Sequence, residues 1–462
     1  MTLDLRSLAA WRIGLAGLVL LDIALRLRDL QAFYGDAGLL SRPSVFAQTW
    51  LSPVYCLFLS SGDTAGLLFL FAAWATAAVC MLVGYQTRLA CFVTWYFVVS
   101  IQLRNPMVMD GGDDFLRVLL FWTFFLPLGA RWSMDARGKD WSKLSPKFRS
   151  LATVGVYLQF FLLYFFAALL KTGEDWRKTG EALYYTLSID QFTTNLGLSL
   201  LSYPEVLRYL TWAALGLEFL LPILLLVPVR FTWVRGSFLL LAVSFHLGIA
   251  LMLHLGIFML IMIVSLVVFV PGAWWDRRWP EEPTAEVEEL PPGYRLNTPT
   301  RVFAGLILAY MVYVNIYSIG HVQKLPTWAH VVARYTYQHQ HWHFFAPFPF
   351  REDGYFQLLV ETDQGVRDIL QRGPVDESGR PHLGSSRFPN QRWRRWMQNL
   401  IQIEIQDTPN WRSDTLVYLL EKWKKSHPHI ETKSARLIFV KELSQPPGLP
   451  VVPEPVVLAE QP

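Results

Sequence analysis

The sequence predicts an all-α polytopic membrane protein of about eight or nine transmembrane helices, followed by a small C-terminal α+β extramembrane domain. Of the 462 residues, 53% are hydrophobic and only 17% are charged, a composition too apolar for an ordinary soluble enzyme. Long apolar stretches follow one another along the chain. Nineteen tryptophans and eighteen tyrosines are typical of the interfacial belts that anchor membrane helices.

The apolar stretches are the candidate membrane spans, and some are shorter than the roughly 20 residues that a bilayer requires, which predicts tilt or re-entry. They lie at 8–25, 64–84, 88–103, 115–130, 151–171, 206–228, 236–253, 256–272 and 302–319. The expected domains are a transmembrane domain at 1–272, an acidic proline-rich linker at 273–300, an additional transmembrane helix at 301–320, an extracytoplasmic α+β domain at 321–445 and a disordered tail at 446–462.

The connection 131–149 sets the expected orientation. Its acidic residues are Asp135 and Asp140, and they are outnumbered by Arg131, Arg137, Lys139, Lys143, Lys147 and Arg149. Because basic loops stay in the cytoplasm, we expect a cytoplasmic N-terminus and an extracytoplasmic C-terminal domain in a bacterial inner membrane. The net charge of +4 is not clustered, so no nucleic-acid partner is expected. The three cysteines contain no CxxC pair, which disfavours a disulfide framework or structural zinc.

Lys171 is the first candidate functional residue. It ends a membrane-length apolar helix and opens the segment Lys171-Thr-Gly-Glu-Asp-Trp176. An ionisable residue at that depth is costly, which makes it a functional candidate by default. An amine beside apolar surface can act as a base or a nucleophile. The alternative is a structural lysine whose stem lies in the membrane and whose ammonium reaches the lipid head groups.

The loop Asn105-Pro-Met-Val-Met-Asp110-Gly-Gly-Asp113-Asp114 is the second candidate site. Its glycines let the backbone approach closely, and three carboxylates at a membrane edge suit binding a cation or orienting a base. The equally favoured alternative is a solvated interhelical loop whose glycines make the turn.

His246 and His254 form the third candidate site. They are eight residues apart, so on one continuous helix they lie near one face and suit proton relay or contact with a polar head group. No Asp, Glu or Cys accompanies them, which makes the pair weak as a metal site. The alternative is a histidine satisfied by a hydrogen bond between helices.

Other charged residues have structural interpretations. Asp22 and Arg26 are four apart in the first span and are expected to pair. Glu218 lies mid-span, where we expect it to be paired or protonated, and it ranks below the three candidate sites as a functional residue. His339, His341 and His343 alternate and suit metal binding from one strand face, but we favour docking of this aromatic segment on the membrane domain.

Patterns in the C-terminal domain predict its elements. Residues 355–370, with Thr362-Asp-Gln-Gly365 in their middle, predict a β-hairpin. Residues 389–404 and 411–424 predict helices, and residues 435–443 predict another strand.

The stretch Leu162–Trp176 resembles the part of the vitamin K-dependent gamma-carboxylase family that carries its catalytic base. The shared features are an aromatic-rich helix that ends in lysine, a short linker and Asp-Trp. Further blocks resemble that family in the same order: Leu8–Arg12 through Asp22, Gly84–Arg88, Trp132–Asp135, Phe245–Phe258 and Trp274–Asp276. The family shares the horizontally transferred transmembrane (HTTM) domain, so the chain is identified as an HTTM-domain membrane protein.

The resemblance implies a function and a set of site residues. Lys171 would deprotonate reduced vitamin K or another quinol for oxygen-dependent epoxidation, with or without the glutamate carboxylation of a lyase. Asp113 and His246 would orient the quinone or Lys171 and complete the catalytic set. In the loop before the fourth span the family carries an asparagine and a histidine where this chain has Gly112 and Asp113. The cofactor-binding residues would be Asp110, Asp114, His254 and Trp176.

The implied partners are the lipid bilayer, a quinone and a protein or peptide substrate, and no metal is expected. Two other functions stay open. One is a non-enzymatic HTTM scaffold that handles lipid or protein at the cell envelope. The other is a transporter with Asp22, Glu218 and the histidines as a polar path, which we favour least because the sequence shows no inverted repeat.

Overall fold

The structure is a computed structural model that describes residues 1–48, 56–138, 146–228, 230–280, 297–320, 326–371, 380–381, 388–402 and 411–462. Most of the expected acidic linker, from 281 to 296, lies outside the described residues, as do Lys139, Asp140 and Lys143 of the basic connection. Within the described ranges, a helical domain is followed by a small antiparallel sheet with its own helices.

The longer helices are labelled in chain order. They are α1 (Leu5–Leu27), α2 (Thr64–Val83), α3 (Thr87–Arg104), α4 (Gly111–Thr123), α5 (Leu151–Leu170), α6 (Pro204–Leu226), α7 (Thr232–Met252), α8 (Phe258–Ser265), α9 (Thr298–Tyr317), α10 (Thr327–Thr336), α11 (Gln391–Gln402) and α12 (Trp411–Ser426). Shorter helices are Leu30–Tyr34, Arg42–Gln48, Glu174–Arg177, Ala182–Ser188, Asn195–Leu200 and Gly272–Trp275, with 3-10 turns at Leu57–Leu59, Pro106–Val108 and Leu266–Phe269.

Among the residues that the structure describes, six helices are long and apolar enough to cross a membrane: α1, α2, α5, α6, α7 and α9. The expected count of about eight or nine spans is therefore not confirmed. Only residues 115–123 of the expected span 115–130 lie in a helix, α4, which has 13 residues and is too short to cross a bilayer. Residues 256–272 form a shorter apolar helix at Phe258–Phe269, and α3 carries Gln102 and Arg104 in its last turn.

Helix α5 is the central helix of the domain. Of its most apolar window, 72% is buried inside the protein, against 28% for α6. Helix α5 packs against α6, α4 and α9, while α1 packs against α2 and α8. Ser150 begins α5 with a capping box, because its side chain accepts from the amide of Thr153 and the Thr153 side chain accepts from Ser150 in return. The end of α5 therefore presents Lys171 among neighbouring helices rather than to lipid.

Two small strands, β1 (Leu3–Asp4) and β2 (Lys147–Phe148), pair beside the N-terminus. The C-terminal sheet contains β3 (Glu352–Thr362), β4 (Gly365–Asp368), β5 (Thr432–Leu443) and β6 (Pro453–Gln461) in the antiparallel order β4-β3-β5-β6. Strands β3 and β4 confirm the expected hairpin, β5 confirms the expected strand, and α11 and α12 confirm the expected helices.

The expectation of a disordered tail at 446–462 is wrong for residues 453–461, because these form β6, which pairs with β5 along the edge of the sheet. Its proline and valine composition misled the sequence interpretation. Prolines lack an amide donor, yet an edge strand tolerates them because one side of its backbone needs no partner. Val456 opposite Phe439 shows that the tail extends the sheet.

Candidate active site

Lys171 directly follows α5 and is only 2% exposed. Its Nζ donates to both carboxylate oxygens of Glu218 on α6, at 2.8 and 2.7 Å, and to the carbonyl oxygen of Ala167 at 3.2 Å. This lysine pair, Lys171 with Glu218, is buried on both sides. Lys171 therefore does not reach the solvent, which contradicts the structural alternative of a lysine extended to the head groups.

Trp176 covers the lysine. The Lys171 Nζ lies 5.0 Å from the centroid of the Trp176 ring, within the range of a cation–π contact. The Trp176 indole donates to the carbonyl of Phe345 at 2.9 Å, and the Gly173 amide donates to the carbonyl of Pro347 at 3.0 Å. The C-terminal chain therefore holds the segment that follows Lys171.

Tyr164 and His246 form a second buried pair close by. The Tyr164 hydroxyl lies 2.8 Å from His246 Nε2, joining α5 to α7. Tyr164 is seven residues before Lys171, so it lies two helical turns from the end of α5 on the side that leads to Lys171. His246 Nδ1 is buried and has no hydrogen-bond partner among the described residues. A buried ring nitrogen that can form a hydrogen bond therefore lies where α5 meets α7.

His254 does not share a helical face with His246. Helix α7 ends at Met252, and Leu253 forms an isolated bridge with Thr193. The exposed His254 follows this bridge, where its amide donates to the carbonyl of Phe192 at 2.6 Å. The premise that one continuous helix carries both histidines is wrong, because the chain leaves the helix before residue 254. Its role in binding a cofactor stays a prediction.

Asp113 belongs to a different cluster, the arginine network of Asp22, Arg26, Asp113 and Arg392. Arg26 donates to Asp22 at 2.7 Å and to Asp113 at 2.6 Å. Arg392 of α11 lies 2.5 Å from Asp22 and 3.3 Å from Asp113. The expected pairing of Asp22 with Arg26 is present. Asp113 makes its ion pairs here, whereas Lys171 pairs with Glu218, so a catalytic role of Asp113 stays a prediction.

Asp110 and Asp114 act locally at the start of α4. Asp110 caps the helix by accepting from the amides of Gly112 and Asp113, at 2.7 and 3.2 Å. Burial, together with the adjacent Asp113 carboxylate, raises the pKa of Asp110 to about 6. Asp114 pairs with Arg117 at 2.9 Å. Both contacts match the interhelical-turn interpretation of this loop, and their role in cofactor binding stays a prediction.

The three alternate histidines lie in the segment that docks on the helical domain. His339, His341 and His343 line one cavity of about 480 Å³ together with Asp114 and Arg117. The Arg117 guanidinium and burial lower the pKa of His339 well below its ordinary value. Within the described ranges, no three His, Cys, Asp or Glu side chains are placed to hold a metal ion.

Aromatic and amide contacts fix this docked segment. Trp342 is buried against Phe115 of α4, and Gln340 accepts from Gln159 of α5 at 2.6 Å. Arg351 continues the interface by pairing with Asp175 at 3.1 Å. The Lys171 segment, the Asp110 loop and the C-terminal domain therefore meet at one end of the helical domain.

A comparison with protein families matches the HTTM domain to residues 2–274, more than half of the chain. The chain belongs to the HTTM family. This domain is found in the vitamin K-dependent gamma-carboxylase family, so the HTTM protein is a membrane protein of a carboxylase-like family. Searches of curated proteins and of solved structures returned no match. Lys171, Glu218 and His246 all lie within the matched range.

In the HTTM protein, two residues of the buried clusters described above escaped the sequence interpretation. Tyr164 carried no charge to single it out, although its spacing of seven from Lys171 was a usable signal. Arg392 lay in a basic aromatic stretch of the C-terminal domain and had no visible link to the first helix. Glu218 was recognised as a mid-span charge, but not as the partner of Lys171.

Proposed function

We propose that this HTTM protein is a membrane enzyme resembling the vitamin K-dependent gamma-carboxylase and epoxidase group. Lys171 is the base that takes a proton from a reduced quinone for oxygen-dependent epoxidation, with or without glutamate carboxylation. The observation that carries this proposal is the buried pair of Lys171 and Glu218 beside the Trp176 ring.

The lysine pair offers a route to a neutral amine. In a buried ion pair the cost of removing both charges from water offsets much of their attraction, so the neutral form of the pair lies close in free energy. Moving one proton from Lys171 Nζ to a carboxylate oxygen of Glu218 gives a neutral amine and a neutral acid across a 2.7 Å contact. Nζ then has the lone pair with which to accept a proton from a substrate hydroxyl.

The proposed ligand is a flat aromatic quinol with polar edges, and three groups near Lys171 support it. His246 Nδ1, which has no hydrogen-bond partner among the described residues, and the Tyr164 hydroxyl are buried polar groups. Trp176 supplies an aromatic face beside Nζ. We assign the holding of a quinol to His246 and Trp176. When bound, the quinol supplies an ionisable hydroxyl and the electrons that oxygen accepts.

The proposal includes an orientation in the membrane. Arg131, Arg137 and Lys147 belong to the basic connection between α4 and α5, and basic connections favour the cytoplasmic side. Lys171 lies at the opposite end of α5 from this connection. We therefore place the candidate active site and the C-terminal domain outside the cytoplasm of a bacterial cell.

The decisive experiment measures epoxide formation from a reduced naphthoquinone and oxygen by detergent-purified protein. Lys171→Ala is expected to lower turnover by at least about 100-fold, because general-base catalysis typically contributes that much. Lys178→Ala is the matched control, since Lys178 forms an ion pair with Glu174 on the same segment but is exposed to solvent.

Equal quinol turnover by Lys171→Ala and Lys178→Ala would show that Lys171 is not the base. Folded wild-type protein that turns over none of several quinols would contradict the enzyme and favour the HTTM scaffold that handles lipid or protein. A purified Lys171→Ala variant with a wild-type elution profile and thermal transition shows that any loss of turnover is chemical rather than structural.

A further inference from the structure

A cavity of about 520 Å³ lies between the helical domain and the C-terminal domain. Its volume is within the range of small-molecule sites. Its wall includes six phenylalanines: Phe192, Phe258, Phe344, Phe345, Phe350 and Phe439. Apolar rings of this number suit the body of a hydrophobic ligand.

Arg394 of α11 contributes a buried cation to this wall. It is only 7% exposed, and its guanidinium lies 5.2 Å from the ring centroid of Phe192. Within the part of the chain that the structure describes, its side chain makes no hydrogen bond or ion pair. Arginine does not lose its proton in proteins, so a buried guanidinium without an anion is costly. A bound anion would remove that cost.

The acidic residues of the wall already form hydrogen bonds or ion pairs with groups other than Arg394. Asp110 accepts from the Gly112 and Asp113 amides through one oxygen and from the Gln391 amide through the other. Glu352 pairs with Lys441 at 2.9 Å. Neither carboxylate forms an ion pair with Arg394 among the described contacts, so the cavity keeps a positive centre.

Arg395 adds a second cation to the wall. Its Nε donates to the carbonyl of Met109 at 2.9 Å, which fixes the base of the guanidinium and leaves the side chain lining the cavity. Arg351, also in the wall, is paired with Asp175. Arg394 and Arg395 are therefore the two cations of the cavity to which a ligand oxyanion would bind.

We propose that this cavity binds an anionic amphiphile, with a carboxylate or phosphate head group at Arg394 and Arg395 and an apolar body against the phenylalanines. A guanidinium matches the planar arrangement of oxygens in such head groups. The ligand class follows from aromatic walls combined with a buried guanidinium that forms no ion pair among the described residues. Lys171 and Glu218 do not line this cavity, and the proposal does not depend on the proposed function.

The test is native mass spectrometry of the detergent-purified full-length protein titrated with four probes. Oleate and dioleoyl phosphatidate carry both an anion and an apolar body. Inorganic phosphate carries only the anion, and dioleoyl phosphatidylcholine has no net charge. We expect saturable binding of at least one anionic amphiphile and binding weaker by about tenfold or more for the other two probes.

Three variants assign the binding to this cavity. Arg394→Gln is expected to weaken amphiphile binding by about tenfold or more, because it removes a charge-assisted contact. Arg436→Gln is the matched control, since Arg436 is exposed on β5 and absent from the cavity wall. Phe350→Ala, which alters a partly exposed wall residue, is expected to weaken amphiphile binding and leave phosphate binding unchanged.

Equal affinity of Arg394→Gln and Arg436→Gln for the amphiphile would overturn the proposal. Wild-type protein that binds phosphatidylcholine as tightly as the tighter of the two anionic amphiphiles would also overturn it. Inorganic phosphate that binds as tightly as that amphiphile would overturn the apolar half of the site. The wild-type probe series decides the ligand class even where Arg394→Gln does not fold.

Discussion

The lysine pair and the arginine network are two clusters of buried charged side chains, and they compensate their charges in different ways. The lysine pair holds one acid and one base, Lys171 and Glu218, with a Tyr–His pair nearby. The arginine network holds two acids and two bases, each in contact with members of opposite charge. Each cluster has a net charge of zero, but they differ in whether the cation can transfer a proton to the carboxylate.

The difference lies in the chemistry of the cation. An arginine side chain keeps its proton, so the arginine network stays charged as long as it stays buried. A lysine amine can give its proton to the neighbouring carboxylate, so the lysine pair has a neutral state as well. The network therefore suits holding elements together, whereas the pair suits proton transfer.

The largest expected effect on stability is that of Asp113→Asn. The substitution leaves Arg26 and Arg392 to share the single carboxylate of Asp22, and one buried positive charge stays without compensation. We expect a loss of about 3–5 kcal/mol in the free energy of unfolding. Thermal or denaturant unfolding in detergent measures it, and a loss below about 1 kcal/mol would contradict the structural role of the network.

Glu218→Gln is expected to cost less, about 1–3 kcal/mol, because Lys171 can release its proton when its carboxylate is removed. Asp113→Asn and Glu218→Gln each turn one buried carboxylate into an amide, so their unfolding free energies compare directly. The exposed Glu174→Gln, which removes the partner of Lys178, is the control and should leave unfolding unchanged. A Glu218→Gln loss as large as that of Asp113→Asn would show that Lys171 stays charged.

A third buried contact, between two acids, joins the helical domain to the sheet. Asp353 of β3 accepts from the amide of Asp190 at 2.6 Å, and both side chains are buried. Burial raises the pKa of both carboxyl groups, and the nearby Asp190 helps to hold the pKa of Asp353 well above its ordinary value. Arg380 lies 3.8 Å from Asp190 and pairs mainly with Glu442.

The sign of the pH effect follows from the raised pKa of Asp353. The stability that its proton provides is fully present below the ordinary aspartate pKa of about 3.9 and is lost as pH rises through the raised value. As pH rises from about 3.9 through the raised pKa of Asp353, the free energy of unfolding of the wild-type protein should fall by up to about 1.4 kcal/mol per pH unit. The free energy of unfolding of Asp353→Asn should fall less over the same pH range. Unfolding midpoints at a series of pH values measure this, and parallel curves for the two proteins would contradict it.

Local patterns in the sequence predicted much of the fold. The hairpin of β3 and β4, the strand β5 and the helices α11 and α12 were expected because alternation and helical periodicity are local signals. The number of membrane spans was harder to predict, because α4 is apolar but short and α3 ends in polar residues. Strand β6 was missed because its pairing depends on β5 rather than on its own propensity.

The sequence predicted which residues belong to the candidate site better than it predicted which of them contact one another. Lys171 could be found because an ionisable residue packed against a membrane-length apolar helix is costly unless it has a partner. Its pairing with Glu218, 47 positions away, depends on how α5 packs against α6. Sequence spacing also suggested that His254 would join His246, and the end of α7 at Met252 separates them.

Arg392 has a consequence for how the protein is made. It contacts Asp22 of the first helix across 370 positions of the chain. During synthesis, α1 enters the bilayer long before that arginine emerges from the ribosome. Until then Arg26 alone faces Asp22 and Asp113, and this nascent cluster carries an excess negative charge. The helical domain therefore reaches its final electrostatic balance only after the C-terminal domain has been synthesised and has docked.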